Sequence, residues 1–184
     1  MGTASGDGIE LMSERLRLRL PTEHDAEFVQ DMYSRVEVTQ FIGAHDWVET
    51  TAEEALNRIQ RYRERLGRGT GVWLIETVDT ASPVGFILMK PIPFSAHVKG
   101  QPEEDIEIGW HLHPEAWGSG YAAEAAELLV AHARRAGHPR LVAVTNSENI
   151  ASQKVATRLG MSHQGLSERY YGTTCELFIL DLRS

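Results

Sequence analysis

The sequence predicts one α/β domain in which antiparallel strands come first and a strand–helix–strand unit follows at 106–145. Three observations carry this. Arg15-Leu16-Arg17-Leu18-Arg19-Leu20 alternates strictly, the period of a strand with one buried face. Val72-Trp73-Leu74-Ile75-Glu76 and Val84-Gly85-Phe86-Ile87-Leu88-Met89 are two strand-like runs joined by a turn at 79–83, which suits antiparallel neighbours. Ile106-Glu107-Ile108-Gly109-Trp110-His111-Leu112 reads as a strand, an amphipathic helix follows from Tyr121, and Leu141-Val142-Ala143-Val144-Thr145 is nearly all apolar, as a central buried strand is.

The other elements follow in order. Residues 1–10 are small and glycine-rich, an expected disordered tail without the basic-then-apolar pattern of a secretory leader. Met1-Gly2 opens a myristoylation-like start, but Gly6 stands where that motif wants Ser or Thr. The domain is expected to occupy 11–184. Thr22 with Asp25 caps a helix to about 34, and Thr51 with Glu54 resembles a capping box opening a helix to about 66. The stretches 40–49 and 91–104 lack a period and read as loops. A second helix of the unit spans about 150–159, with Ala151, Val155 and Leu159 on its inner face and Gly160 as its stop. Two strands, near 162–171 and 174–182, finish the chain.

Bulk composition narrows the function. At 184 residues, 42% hydrophobic and 24% charged, the chain can bury one sizeable core. No apolar run approaches the ~20 residues of a membrane helix, so no membrane role is expected. A net charge of −8 argues against nucleic-acid binding and leans toward a cationic substrate. Cys175 is the one cysteine, so no internal disulfide can form; a cytoplasmic setting is expected. A homodimer stays open.

The most informative segment lies between strand and helix. Pro114 stops the strand, and Trp117-Gly118-Ser119-Gly120-Tyr121-Ala122 makes a glycine turn at a helix mouth. Backbone N–H groups and the helix dipole there suit a phosphate, although such a turn can also serve only the close approach of helix and strand. A P-loop is excluded, because no Lys-Ser or Lys-Thr follows the glycines. A dinucleotide fold is disfavoured: residues 113–117 separate strand from glycines, and Thr145-Asn146 stands where an acidic residue should close the next strand.

Strand, Pro-Glu-Ala-Trp-Gly-Ser-Gly-Tyr-Ala-Ala-Glu-Ala, strand, Asn149-Ile150-Ala151-Ser152, then Leu159-Gly160-Met161 resembles the GNAT N-acetyltransferases, in the RimJ/RimL-like branch of ribosomal-protein N-terminal acetyltransferases. The resemblance is sharp over 107–161 and extends by element order to most of the chain. It implies the acyl-CoA N-acyltransferase fold: a mixed, mostly antiparallel sheet of about seven strands flanked by about four helices. It implies acetyl-CoA as co-substrate, no metal, and an amine acceptor, either a protein N-terminus or a small molecule. The pyrophosphate would sit on Gly118, Ser119, Gly120, Tyr121 and Ala122. The family often has Gln or Arg three residues before the first glycine; here Glu115 stands there. Pantetheine would pair with backbone at Trp110, His111 and Leu112, and an N–H near Leu112 would stabilise the oxyanion. Asn149 matches a pantetheine-contacting position that helix capping alone would also explain. Ser152 matches a position proposed to act near the thiol.

The catalytic expectation centres on Glu107. A lysine amine, with pKa about 10.4, is almost all charged at neutral pH, so a carboxylate that takes its proton assists attack. Asp105, Glu107, Gly109 and His111 share one strand face, which otherwise reads as a wet surface. Ser152, Tyr170 and Tyr171 are alternative acids for the leaving thiolate. Cys175 has no recognisable base partner and is not read as a nucleophile. His111 and His113 form an H-x-H pair without an evident third ligand. Trp117 reads as a packing anchor, and Lys154 with Arg158 as a solvated face able to meet an outer phosphate. The acceptor is expected between the loops 40–50 and 91–104, where Asp46, Glu103, Glu104 and Asp105 would attract a cation. A non-catalytic acyl-CoA-binding module, or an enzyme using another acyl-CoA, are the rival readings.

Overall fold

In a computed structural model of the chain, residues 10–43, 48, 51–67, 69–99 and 105–183 are described. The expected tail and the acceptor-loop residues Asp46, Glu103 and Glu104 lie outside them. Among the described residues one sheet has eight strands in the order β1-β2-β3-β4-β5-β6-β8-β7. These are β1 (Leu11–Met12), β2 (Leu16–Arg19), β3 (Gly71–Thr77), β4 (Pro83–Pro91), β5 (Ile106–Leu112), β6 (Arg140–Thr145), β7 (Ser162–Ser167) and β8 (Cys175–Asp181). The helices are α1 (Ala26–Ser34), α2 (Val36–Thr39), α3 (Ala52–Glu64), α4 (Tyr121–Ala136) and α5 (Ile150–Arg158). The extra strand is the two-residue β1, and the extra helix is the single turn α2. Both are too short for a period to register in sequence.

Every strand pair is antiparallel except β5 with β6, which α4 connects. The capping boxes form as the sequence predicts: Asp25 accepts from Thr22 N–H at 2.7 Å, and Glu54 from Thr51 N–H at 3.0 Å.

Parity divides the core between the two sheet faces. Val72 and Leu74 of β3, with Phe86 and Leu88 of β4, pack under α1 and α3 against Val29, Met32, Tyr33, Ile59 and Tyr62. Trp73, Ile75, Ile87, Met89, Ile106 and Ile108 pack under α4 with Ala125, Ala126 and Leu129. All of β3 is buried, so its apolar run shows no alternation. Each large side chain buried in this way contributes about 1.5–3 kcal/mol.

The sequence expectation for α5 needs correction. Ala156 is its buried residue, Ala151 is exposed, and Val155 and Leu159 are half-buried. The helix rests on the sheet by a narrower stripe than the i, i+4 spacing implied. Gly160 does end it, at φ +77°, with Met161 N–H donating back to the Ala156 carbonyl at 3.1 Å.

Candidate active site

The site begins where two strands part. The parallel pair β5–β6 is bridged only at Glu107 and Val142, near the start of both strands. Beyond that bridge the strands diverge. His113 N–H donates to Val84 and Ile92 N–H to the Asp105 carbonyl, so odd-numbered β5 residues turn their backbone toward β4. The even-numbered residues Trp110 and Leu112 therefore turn theirs toward the opening. Gly85 lets β4 follow closely; a Cβ there would lie 2.4 Å from the His111 carbonyl oxygen.

Side-chain parity places Asp105, Glu107, Gly109 and His111 on the α1/α3 face, as alternation predicts. The face is not wet at Glu107, which is only 9% exposed. Lys90, directly across on β4, reaches Glu107 Oε2 with Nζ at 2.8 Å. The Tyr171 hydroxyl donates to the same oxygen in a very short hydrogen bond, and Lys90 Nζ donates to the Tyr171 phenol oxygen at 2.5 Å. Burial and the Glu107 charge raise the Tyr171 phenol above its ordinary value, so it keeps its proton. Tyr171 sits at φ +59°, a left-handed backbone unusual for an aromatic residue.

His111 lies further along the same face. Its Nδ1 is 3.1 Å from the Tyr33 hydroxyl, which is 2.9 Å from the Tyr62 hydroxyl; Arg58 donates to that at 2.9 Å. Burial, then the Arg58 and Lys90 charges, pull the imidazole down to about 3, so His111 is neutral. His113 faces Asp31, with Nε2 2.8 Å from Oδ2. The H-x-H pair is thus divided between two partners. Among the described residues no three His, Cys, Asp or Glu side chains converge.

Asp105 does not serve as an open cation-attracting carboxylate. It is 4% exposed and accepts from Arg140 Nε and Tyr170 Oη, each at 2.5 Å, with Arg169 at 3.6 Å. That engagement also occupies the Tyr170 hydroxyl. Cys175 is buried and its Sγ donates to the Ser167 carbonyl at 3.6 Å; burial raises its pKa.

At the far end of β5 the glycine turn opens onto a cleft of about 520 Å³, bordered by Gly118, Ser119, Gly120, Arg15 and Arg158 among others. Gly118 and Gly120 sit at φ +76° and +80°, so glycine is required there for backbone conformation. Glu124 N–H to the Gly120 carbonyl, at 3.2 Å, is the first bond of α4. The N–H groups of Tyr121, Ala122 and Ala123 precede it and have no acceptor within the helix. Arg15 braces this turn from the start of β2. It donates to the Ser119 carbonyl at 3.2 Å, to Glu124 at 2.8 and 2.5 Å, and lies 5.0 Å from the Tyr121 ring. Burial works against the Glu124 carboxyl, yet Ser13 and Arg15 hold it below its ordinary value.

Trp117 is not a buried anchor. The residue is 52% exposed and its indole N–H donates to the Leu112 carbonyl at 2.9 Å, closing the end of β5. Asn149 caps α5, its Oδ1 accepting from Ser152 N–H at 3.1 Å, which leaves its amide NH2 group as donor. Arg158 borders the glycine-turn cleft, so one of the two expected outer cations is near the anion site. Lys90, Arg15 and Tyr33 were not legible as site residues. Lys90 and Glu107 are cross-strand neighbours, a pairing that follows from register alone.

A sheet that opens beyond one parallel bridge, with a glycine turn at the helix mouth beside the opening, is the frame of an acyl-transferring enzyme. The chain is an acetyltransferase belonging to the GNAT family: the acetyltransferase (GNAT) domain model matches residues 15–162. It is 30% identical over 162 residues to the uncharacterized N-acetyltransferase YoaA of Bacillus subtilis, covering 87% of this chain and 86% of that one. Among solved structures, a GNAT-family acetyltransferase from Bacillus anthracis matches with a TM-score of 0.74 at 21% identity, covering 95% of this chain and 99% of that one. The ribosomal L7/L12 alpha-N-protein acetyltransferase RimL, in complex with coenzyme A, matches at 0.72 and 21%, covering 94% and 97%. At these identities the structural likeness is one of fold.

Proposed function

We propose that the enzyme moves an acetyl group from acetyl-CoA to a primary amine, either a protein N-terminus or a small molecule, by direct attack. The observation that carries this reading is the divergence of β5 from β6 immediately after Glu107. Along one opening lie backbone groups of β5 turned away from β4, a buried carboxylate and a helix mouth with open N–H groups. RimL was crystallised with coenzyme A, which supports the same choice of donor.

The chain's own residues fit that donor. The open N–H groups of Tyr121 and Ala122, with the turn Gly118-Ser119-Gly120, cradle a pyrophosphate without needing a cation at Glu115. Arg15, paired with Glu124, and Arg158 stand at the rim of this cleft, which Glu14 and Glu127 also line. Backbone of Trp110 and the amide of Asn149 serve a pantetheine arm, and Trp117 holds the Leu112 carbonyl beside it. When bound, acetyl-CoA supplies an activated acetyl thioester. Glu107 takes the proton of the acceptor amine. The Leu112 N–H faces the opening and stabilises the developing oxyanion. Tyr170 is 1% exposed and bonded to Asp105, so the proton for the departing sulfur comes from Ser152 or from Tyr171, which is 43% exposed.

An acceptor screen with acetyl-CoA, read by free-thiol release, tests the reading. With the best amine, E107Q should lose about 10²–10⁴-fold in turnover while its KM for acetyl-CoA stays near that of the parent. Comparison of S152A with Y171F identifies the acid. Stabilisation by CoA thioesters without turnover of any amine would instead favour a binding module. No stabilisation by any CoA species would refute the proposal.

A further inference from the structure

Only three of the eighteen basic residues in this chain are lysines: Lys90, Lys99 and Lys154. Lys99 and Lys154 are exposed. Lys90 alone is directed inward, onto the carboxylate proposed as the base. Its ammonium donates to Glu107 Oε2 at 2.8 Å and to the Tyr171 phenol oxygen at 2.5 Å. Where this protein holds other buried carboxylates with a cation it uses arginine: Arg19 on Asp25 and Glu76, and Arg140 on Asp105. Arginine suits that task, since its planar fork grips a carboxylate and it does not lose its proton. A lysine differs in one chemical respect. Once deprotonated it is a primary amine, the group an N-acetyltransferase acts upon.

We propose that Lys90 Nζ is itself an acetyl acceptor, a self-modification site built into the active site. The inference rests on the acetyl-CoA reading above. The Lys90 ammonium is placed on Glu107 as an external acceptor's ammonium would be, with the Tyr171 oxygen as a second acceptor. Glu107 takes one proton from Nζ. The freed electron pair forms the N–C bond to the acetyl carbonyl carbon, and the C–S bond breaks with its electrons going to sulfur. Of the two protons that leave the ammonium, one ends on the sulfur as free thiol and the other passes to solvent. The products are acetyl-lysine and coenzyme A. The new amide carries no charge, so Glu107 loses its cation and Tyr171 a donor. An acceptor amine also no longer competes with a lysine for the carboxylate.

The full-length protein, freed of bound CoA, is incubated with acetyl-CoA and no amine, then measured by intact mass and peptide mapping. One acetyl group per chain is expected, at Lys90, with Lys99 and Lys154 far less modified and serving as internal controls for chemical acetylation. Its first-order rate should not change with protein concentration. K90R should remove the modification while keeping the thermal stabilisation by CoA, which shows that it folds and binds. E107Q, checked for folding by its thermal melt, should slow Lys90 acetylation at least tenfold without altering the two controls. Turnover of an external amine with Lys90 left unmodified would overturn this proposal and leave the acetyltransferase reading standing. So would Lys90 modification at the rate of the two exposed lysines. Failure of any CoA thioester to stabilise the protein would overturn both.

Discussion

Asp105, just before β5, and Glu107 within it stand two residues apart on one side of the sheet, yet their surroundings divide their tasks. Asp105 is enclosed by Arg140, Arg169 and Tyr170, with a donor directed at each oxygen. Nothing about it is open to a substrate. Glu107 meets a lysine and a tyrosine on a single oxygen, Oε2, at the point where β5 leaves β6. The difference predicts opposite mutant behaviour. Asp105→Asn should lower stability by about 1–3 kcal/mol in a urea titration, because the hydroxyl of Tyr170 loses its charged acceptor inside the fold. Its turnover per folded molecule should stay within a few-fold of the parent. An unchanged urea midpoint in D105N would contradict the structural role assigned to Asp105.

At the scale of elements, the mouth of α4 is shaped by a residue from another part of the chain. Arg15 spans from β2 to Ser119 and Glu124, and without it the Glu124 carboxylate would stand unneutralised beside the proposed pyrophosphate site. Arg15→Ala should therefore raise the KM for acetyl-CoA roughly 5–10-fold, about 1–1.4 kcal/mol, with little change in kcat. Adding Glu124→Gln to R15A should recover most of that loss, since it removes the uncompensated charge. Recovery absent in the double variant would show that Arg15 acts only by contact with the ligand. The contrast with what sequence reveals is physical. Alternation in β2, the positive-φ glycines and the Asn149 cap are local properties, set within a few residues, and they were legible. Arg15 with Glu124, Lys90 with Tyr171 and Tyr33 with His111 are 109, 81 and 78 residues apart, joined only by register and topology. Trp117 and Ala151 misled for a related reason: an apolar side chain beside a turn or at a helix start carries no signal of which way the chain enters.

Across the whole molecule, the ionisable groups whose titration shifts on folding set a pH window for stability. Two histidines titrate low in the folded state: His111, at about 3 through burial with Arg58 and Lys90 nearby, and His132, lowered by burial beside Arg135 and His138. Below about pH 6.5 the unfolded chain takes up protons at these imidazoles more readily than the folded chain does. Their contribution is complete above about pH 6.5 and lost progressively as the pH falls, for His111 down toward 3. Asp31, held low by Arg35 and His113, Asp25, held low by Arg19 against burial, and Glu124, held low by Ser13 and Arg15 against burial, add a second loss below about pH 4. At the other extreme Tyr170, Tyr171 and Cys175 are raised by burial and by Asp105, Glu107 and Glu176. Their unfolded forms ionise first, so stability is full below about pH 8.5 and falls as the pH rises beyond it. Urea unfolding should thus give a plateau between about pH 6.5 and 8.5 and a slope on each side. On the acid side each histidine can contribute up to about 1.4 kcal/mol per pH unit. Replacing His111 with glutamine, which cannot be charged, should flatten the limb between pH 6 and 4.5 while leaving the alkaline limb unchanged. An acid limb as steep in H111Q as in the parent would remove His111 from this account and place the loss on His132 and the carboxylates.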